Sequence, residues 1–218
     1  MSAARSGSRV EPDRDCPLCP RLKAFRDTNR GREPGWFNAP VPNFGPDRAR
    51  LLIVGLAPGL KGANRTGRPF TGDFAGDLLY GTLIEFGFAK GRFEARPDDS
   101  LKLVDARIVN AVRCVPPENK PTPAEIRTCN RFLAASIAEM PNLAAMVALG
   151  RIAHDAVAIA LGAKRSGIPF AHGAKHRVSE RLTLFDSYHC SRYNTNTGVL
   201  TPKMFRAVFK SVRAYLDG

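Results

Sequence analysis

The sequence predicts an α/β fold, a three-layer α/β/α arrangement around a central, mainly parallel four-stranded sheet. Two observations support this prediction. Short aliphatic runs with almost no polar interruption are typical of strands that are covered on both faces, as in a parallel sheet. Helical patterns separate these runs, and alternation of strands with helices favours parallel strand order. The predicted strands lie at 50–56, 106–112, 143–150 and 182–189.

The clearest helix is predicted from the stretch TPAEIRTCNRFLAASIAEM. Thr122 is placed to cap it, Pro123 suits the first helical position, and Glu125 completes a capping box. Apolar residues then recur at steps of three and four, which places Cys129 on the inward face. Further helices are predicted at 76–88, 151–162 and 201–216.

We predict one domain at 16–218 after a flexible N-terminal tail at 1–15. A chain of 218 residues that is 44% hydrophobic can bury one substantial core. Its first residues lack the apolar centre of a secretion signal, and no apolar run reaches the roughly 18 to 20 residues that span a bilayer. We therefore expect a cytoplasmic protein.

The chain is strongly basic, with a net charge of +13 and a pI near 10.1. Residues 151–218 contain 11 Lys and Arg against four Asp and Glu, so the excess concentrates in the last third. Such a charge is typical of proteins with a polyanionic partner. A well-solvated basic protein without a nucleic-acid role is the alternative.

Four of the five cysteines have the spacing of a metal centre. Cys16 and Cys19 form a C-x2-C pair, and Cys114 and Cys129 follow far along the chain. An odd cysteine count without a secretion signal argues against disulfides. The second pair is wide for zinc, whereas an iron–sulfur cluster accepts cysteines from separate segments. The alternative is that Cys114 and Cys129 are small buried apolar residues.

Polar residues gather where the predicted strands end. The first strand runs into GLAPG, the second ends in NAVRC with Asn110, and the fourth ends at His189. Open α/β sheets bind ligands outside the carboxyl ends of their strands, so we expect these residues to meet in one site. The loop after the first strand is rich in glycine but matches neither of the common nucleotide-phosphate loop patterns.

Three stretches resemble the uracil-DNA glycosylases, and most closely the iron–sulfur branch called family 5 or type B. They are GLAPGLKGANRTGRPFTGD at 55–73, VNAVRCVPPENKPTP at 109–123 and SYHCSRYNTNTGVLT at 187–201. The four spaced cysteines match the cluster ligands of that branch in order and approximate spacing. The resemblance therefore implies a 4Fe-4S cluster, with a structural role because glycosidic hydrolysis needs no electron transfer.

What the resemblance implies is a monofunctional DNA-repair enzyme that flips a uracil nucleotide out of DNA, hydrolyses its glycosidic bond and leaves an abasic site. Phe70 would stack on the base, and Asn110 would pair with its Watson–Crick edge through both donor and acceptor atoms. His189 would donate a hydrogen bond to O2 as the bond breaks. Further candidates for contact with the flipped nucleotide are Gly55, Ala57, Gly59 and Asn194.

Asp73 is the predicted catalytic carboxylate. The related type-4 motif carries Glu where this chain has Leu56, which points to the type B branch; Asp73 is the nearest acidic replacement, and the resemblance to that branch implies its catalytic role. A carboxylate can position water and stabilise an oxocarbenium-like sugar. Asp77 is a weaker rival, and the alternative role for Asp73 is the N-cap of the following helix.

The last matching stretch departs from the usual H-P-S-P-R-N pattern, because Cys190 replaces a proline and Arg192-Tyr193 replaces Pro-Arg. In relatives this loop enters the minor groove, so Arg192 or Tyr193 is expected to act as a wedge, and Cys190 has no predicted metal role. We expect a monomer that binds double- and single-stranded DNA mainly through phosphates. The predicted phosphate contacts are Arg65, Arg68, Lys120, Lys164, Arg165, Lys175 and Arg177.

Two other functions remain open at this point. A non-catalytic iron–sulfur nucleic-acid-binding protein needs only the charge and the cysteines, but it leaves Phe70, Asn110 and His189 without a role. A nucleotide hydrolase would use the same loop for a free base or phosphate. If the chain is a glycosylase, its resemblance to type B relatives, which tend to accept hypoxanthine and xanthine as well as uracil, extends the expected range of bases.

Overall fold

The computed structural model describes residues 11–218. Its strands are β1 (Leu51–Gly55), β2 (Ala89–Lys90), β3 (Lys102–Leu103), β4 (Ala106–Asn110), β5 (Ala145–Leu149), β6 (Lys175–Arg177) and β7 (Thr183–Ser187). Its helices are α1 (Pro20–Arg32), α2 (Ala63–Thr66), α3 (Phe74–Glu85), α4 (Pro123–Ala138), α5 (Arg151–Ala160), α6 (Arg192–Asn196) and α7 (Pro202–Asp217). None of these helices is both long enough and apolar enough to cross a membrane.

Five strands form the central sheet in the order β4-β1-β5-β7-β6. The first four are parallel neighbours and correspond to the four predicted strands, so the α/β prediction is confirmed. The fifth strand, β6, is antiparallel to β7 at the edge of the sheet. It was missed because the three polar residues Lys-His-Arg carry no apolar alternation. A separate hairpin pairs β2 with β3.

The sheet separates two apolar layers. In β1, Leu51 and Ile53 face the core that contains α3 and α7, whereas Leu52 and Val54 face the core that contains α4 and α5. Because successive side chains of a strand point to opposite faces, one aliphatic run fills both layers. This burial fixes β1 in the middle of the sheet and directs its C-terminal end toward the loop that follows.

The predicted start of α4 is confirmed. The Thr122 side chain accepts a hydrogen bond from the Glu125 backbone N–H, and the Glu125 carboxylate accepts one from the Thr122 N–H. The same carboxylate takes a two-pronged hydrogen bond from Arg21 of α1, at 2.8 and 2.7 Å. One acidic side chain therefore caps α4 and also fastens α1 to it.

The prediction of a flexible tail at 1–15 is wrong for residues 11–15, whose side chains pair with the domain. The Glu11 carboxylate accepts from the buried guanidinium of Arg113 at 2.8 Å and from the Asn43 backbone N–H at 2.8 Å. Asp15 pairs with Arg30 of α1. Residues 11–15 are thus attached to the domain, because a buried arginine needs a carboxylate partner. The rest of that prediction, residues 1–10, lies outside the described residues.

Candidate active site

A cavity of about 310 Å³ opens where the loops after β1, β4 and β7 meet, at the C-terminal edge of the sheet. Among the predicted site residues, seven line it. They are Ala57, Gly59, Phe70, Asp73, Asn110, His189 and Arg192. The predicted convergence of the strand ends is therefore present in the structure.

Gly55 lies beneath the cavity and does not line it. It is the last residue of β1 and pairs in register with Asn110 on β4. A Cβ atom on Gly55 would lie 2.4 Å from Asn110 Oδ1 and 2.7 Å from Phe70 Cζ. Glycine is required here because two cavity side chains pack directly against its Cα.

Phe70 is buried and has a φ of +54°, which is unusual for a bulky residue. Hydrogen bonds on both sides hold this conformation. The Tyr80 hydroxyl donates to the Pro69 carbonyl, and the Thr66 hydroxyl donates to the Thr71 carbonyl at 3.0 Å. The ring also lies nearly parallel to the His189 ring, with centroids 6.0 Å apart. The loop thus holds the Phe70 ring in one place on the cavity wall.

Arg68 does not contact solvent as a DNA-binding residue would, which corrects that prediction. Its side chain is 7% exposed and makes a two-pronged ion pair with Asp99 at 2.8 and 2.7 Å. Its guanidinium carbon also lies 5.3 Å from the Phe44 ring centroid and 5.7 Å from that of Tyr80. The Arg68 guanidinium lowers the pKa of Asp99 to about 2. Arg68 therefore braces the loop behind Phe70.

Asn110 ends β4 with its side chain directed into the cavity. The residue is 3% exposed, and its Oδ1 atom is buried without a hydrogen-bond partner among the described residues. An unpaired buried acceptor costs free energy unless a ligand or water satisfies it. The amide edge of Asn110 is therefore ready to bind a polar ligand.

Asp73 stands at the N-cap position of α3, but its side chain makes no capping hydrogen bond. Its Oδ1 atom is buried and lacks a partner within the described chain. Burial raises the pKa of the Asp73 carboxyl, and the nearby N–H groups of Gly76 and Ala75 oppose that shift. A Cβ on Gly62 would lie 2.5 Å from Asp73 Oδ2, so the glycine-rich loop makes room for this carboxyl.

His189 follows β7 and is half-buried on the cavity wall. Burial lowers the pKa of His189 to about 4, so the ring is neutral at pH 7 and keeps one N–H donor. Asn194 does not line the cavity, which corrects its predicted substrate contact. Its Nδ2 donates to the His189 carbonyl at 2.8 Å, so it positions the loop that carries the imidazole.

Of the two wedge candidates, Arg192 lines the cavity and Tyr193 does not. Tyr193 is 74% exposed at the start of α6. The Arg192 guanidinium carbon lies 5.2 Å from the Phe74 ring centroid, and both residues line the cavity. Cys190 lies below them in the core, where its thiol contacts the Ala75 carbonyl at 3.6 Å. The loop is thus anchored by a buried sulfur and presents its large side chains outward.

Two of the remaining basic candidates are corrected. Lys175 and Arg177 lie on the edge strand β6 and not in a loop. Arg177 is in register with Thr183, where β7 begins, so it lies at the edge of the sheet opposite the cavity. Lys164 and Arg165 lie in or beside a short 3-10 turn as exposed residues, and Arg165 is within 4.0 Å of Asp155. A DNA contact by these two, and by exposed Arg65 and Lys120, stays a prediction.

Phe74 and Asn119 are among the cavity residues that sequence reasoning missed. Asn119 has a φ of +57° and ends a 3-10 turn together with Glu118, whose φ is +56°. Asparagine tolerates this left-handed conformation better than most residues, which is the one local signal in the sequence. Phe74 carries no such signal, because nothing local distinguishes an exposed aromatic from a buried one.

The four spaced cysteines meet at a second place, between α1, α4 and the loop after β4. Together they line one small cavity, with Leu22 and Phe132 in the same apolar cluster. In the described structure, no three of the four sulfurs lie within 4.8 Å of one another. Burial raises the pKa of Cys114 to about 12 and that of Cys129 to about 11.

Nitrogen donors contact two of these four sulfurs. The Arg26 guanidinium donates to Cys114 Sγ at 3.7 Å, and the Arg113 backbone N–H donates to Cys129 Sγ at 3.3 Å. Arg26 also donates to the Cys16 carbonyl at 3.1 Å. Arginine and amide donors aimed at sulfur stabilise thiolates, so the arrangement suits a metal-bound centre.

Comparison with known proteins shows the family. The sequence model described as "Uracil DNA glycosylase superfamily" matches residues 42–213. The chain belongs to this superfamily. Three relatives named "Type-5 uracil-DNA glycosylase" match nearly the whole chain. The protein of Thermus thermophilus is 46% identical over 91% of this chain and 92% of its own length.

The other two relatives are more distant. The protein of Mycobacterium bovis is 39% identical over 91% of this chain and 77% of its own length. The protein of Pyrobaculum aerophilum is 36% identical over 92% of this chain and 88% of its own length. As a member of the glycosylase superfamily, the chain has a cavity whose chemistry suits the family reaction. An aromatic wall, a free amide edge, a neutral imidazole donor and a buried carboxylate together can hold a planar base and assist its departure.

Proposed function

We propose that this chain is a monofunctional glycosylase that excises uracil from DNA by hydrolysis and leaves an abasic site. One observation supports it above all: Phe70, Asn110, Asp73 and His189 line a single cavity of about 310 Å³. A planar base inside duplex DNA is not accessible to such a cavity, so the nucleotide must first flip out of the stack.

Recognition of the base would use Phe70 and Asn110. The Phe70 ring supplies the stacking surface, and the strained but braced backbone keeps it in place. The unpaired Asn110 Oδ1 accepts from uracil N3–H, while its Nδ2 donates to O4. Cytosine presents an unprotonated N3 and an amino group at the same positions, so it would leave the amide mismatched.

Departure of the base would use His189. As the glycosidic bond lengthens, negative charge develops on the uracil ring and is shared by O2. A neutral imidazole that donates one N–H to O2 stabilises that charge without having to lose a proton first. Its low pKa of about 4 keeps the ring neutral at physiological pH. A donor placed in this way contributes roughly 10²- to 10³-fold to the rate.

Hydrolysis would use Asp73. The sugar gains oxocarbenium character as the base leaves, and a buried carboxylate stabilises that positive charge. The free Oδ1 atom of Asp73 can also hold the attacking water. Positioned proton acceptors contribute about 10²- to 10⁴-fold. The carboxyl must be ionised for this role, and burial raises its pKa, so activity should increase with pH as Asp73 loses its proton.

The decisive experiment compares Asp73→Asn with Asp77→Asn. Asparagine has nearly the size of aspartate and is equally favoured at an N-cap position, so Asp73→Asn should keep the thermal stability while its single-turnover excision rate falls by about 10²-fold or more. Asp77 is exposed in the first turn of the same helix, so Asp77→Asn is the matched control for loss of one charge. A wild-type rate in Asp73→Asn would assign Asp73 a purely structural role.

The substrate is a labelled duplex with one uracil, treated with alkali after incubation. Strand breakage only after alkali indicates a monofunctional glycosylase. Intact DNA with tight binding would indicate the non-catalytic binding protein, and turnover of free deoxyuridine monophosphate would indicate a nucleotide hydrolase. Single-stranded substrate and duplexes with hypoxanthine or xanthine extend the same assay. We propose that hypoxanthine and xanthine are also excised and that the enzyme acts as a monomer. A cytoplasmic location stays a prediction.

We also propose that Cys16, Cys19, Cys114 and Cys129 hold a 4Fe-4S cluster. Zinc–sulfur bonds of about 2.3 Å in a tetrahedral site separate the sulfurs by about 3.8 Å. No three of the four sulfurs lie within 4.8 Å of one another, which supports a centre larger than one zinc ion. When bound, the cluster would cross-link α1, the loop after β4 and α4, which stabilises the irregular N-terminal segment.

Metal analysis tests this proposal. The purified protein should be brown and contain about four iron atoms and equivalent acid-labile sulfide per chain. Cys114→Ser should lose iron and stability. Cys190→Ala, which removes the buried cysteine outside this cluster, should retain iron. A colourless anaerobic preparation with one zinc and no iron would contradict the assignment.

A further inference from the structure

A second concave surface lies on the far side of α2 from the active-site cavity. Ala63 of α2 lines the cavity, whereas Arg65 and Thr66 of the same short helix line a shallow groove of about 700 Å³. Trp36 and Phe37 form its floor, and Arg14 and Arg96 lie on its walls. We call this surface the Trp36 groove. It is wider and shallower than the active-site cavity.

The floor of the groove is held rigidly. Asn38 is 1% exposed, has a φ of +43°, and donates from its amide to the Glu33 carbonyl at 2.7 Å. Its Oδ1 accepts from Asn64 at 2.9 Å, and the Phe37 backbone N–H donates to the Arg65 carbonyl at 3.0 Å. The aromatic residues are therefore fixed relative to α2, and so to the active-site loop.

The walls of the groove are basic. Arg14 is exposed and lies over the Phe37 ring, with its guanidinium carbon 5.8 Å from the centroid. Arg65 is exposed and lines the groove. Arg96 pairs with Glu94 and Asp98 at the surface, and such exposed pairs exchange readily for another anion. Three guanidinium groups therefore surround an aromatic floor.

We propose that the Trp36 groove binds unpaired DNA, namely the strand next to the flipped nucleotide. Fixed aromatic rings bordered by cations are the general means of binding single strands, because every base has a face to stack and every nucleotide a phosphate to neutralise. A fully paired duplex offers phosphates but no free base faces, so it would use the arginines only. The proposal rests on DNA being the substrate and concerns a surface outside the active-site cavity.

Trp36 is the only tryptophan of the chain, so its fluorescence reports on this groove alone. The experiment titrates the complete metal-loaded protein with a short oligothymidylate, which contains no uracil and so offers no base for excision. Binding is followed at the same time by anisotropy of an end label. Saturating oligothymidylate should quench Trp36 emission, and a blunt duplex of equal length should quench it much less.

Variants separate stacking from charge. Trp36→Ala should weaken single-strand binding by about 5-fold or more, whereas Trp36→Phe, which keeps a ring, should recover most of it. Arg65→Ala should lower the slope of log affinity against log salt by about 0.7. Arg181→Ala is the matched control, because Arg181 is an exposed arginine beside the start of β7, at the opposite edge of the sheet. Its slope should equal that of the wild type.

Three results would overturn the proposal. Unchanged Trp36 emission when the anisotropy shows saturation would place the strand elsewhere. Equal quenching by duplex and single strand would mean that the groove binds phosphates only, and emission that changes with protein concentration without DNA would indicate contact with a second copy of the chain. These readouts do not depend on excision, so loss of uracil cleavage and loss of groove binding are told apart.

Discussion

Replacing Arg68 with alanine tests whether this residue stabilises the fold or contacts DNA. The change leaves the Asp99 carboxylate, whose side chain is 0% exposed, with only the N–H groups of Glu94 and Leu101 as partners. Removing one member of a buried ion pair costs about 3–5 kcal/mol. For a domain of this size each kcal/mol lowers the melting temperature by about 2–4 °C. The expected decrease is therefore about 6–20 °C.

Two measurements on the same variant decide the question. Thermal unfolding followed by circular dichroism gives the melting temperature, and duplex-binding titrations over a range of salt concentrations give the salt slope. Arg68→Ala should lower the first and leave the second unchanged, whereas loss of a phosphate contact would reduce the slope by about 0.9. Arg206→Ala, which breaks an exposed pair with Glu85, should change stability by less than about 1 kcal/mol.

The Arg68–Asp99 ion pair should also make the stability depend on pH. The Arg68 guanidinium lowers the pKa of Asp99 to about 2 from the ordinary 3.8, so the stabilisation is complete above pH 3.8 and is lost as pH falls toward 2. In Arg68→Ala this acid-sensitive part should disappear. If Arg68→Ala has the melting temperature of the wild type but a smaller salt slope, the structural role of Arg68 is refuted.

Three further predictions concern the active site. Gly55→Ala should reduce excision by about 10²-fold, because the new methyl group displaces Asn110, whereas Gly81→Ala, at a helix position with open space around it, should be active and serves as control. Asn194→Ala removes the hydrogen bond to the His189 carbonyl, so it should cost about 1 kcal/mol of stability and reduce excision. Thermal unfolding and single-turnover rates measure the two effects. The low pKa of His189, about 4 against 6.5, predicts that wild-type melting temperature falls as pH decreases from 6.5 to 4; a His189→Gln variant with the same fall would contradict it.

The fold was predictable because its strands are encoded locally. Each parallel strand is a short aliphatic run that fills both apolar layers, and α4, between β4 and β5, carries its own capping box. The strand β6 was not predictable, since the three residues of Lys175–Arg177 form a strand only because β7 offers them an unpaired edge. Pairing with β7 also places Arg177 at the edge of the sheet opposite the cavity.

The active site was predictable where a residue ends a strand or belongs to a glycine-rich loop. Asn110 and His189 satisfy the first condition, whereas Phe70 and Asp73 were singled out by the family resemblance of their glycine-rich loop; all four line the cavity. Arg68 does not reveal its burial locally. Its partner Asp99 lies 31 residues away in a loop without regular structure, and sequence spacing carries no information about that contact.

The left-handed backbone at Phe70 sets two opposing contributions to stability at one position. A non-glycine residue in this region carries about 1–3 kcal/mol of strain, which glycine would relieve. Phe70 is also buried, and truncation of a buried phenylalanine costs about 3–5 kcal/mol. Burial of the ring therefore outweighs the strain, so the side chain that forms the cavity wall also stabilises the loop that carries it.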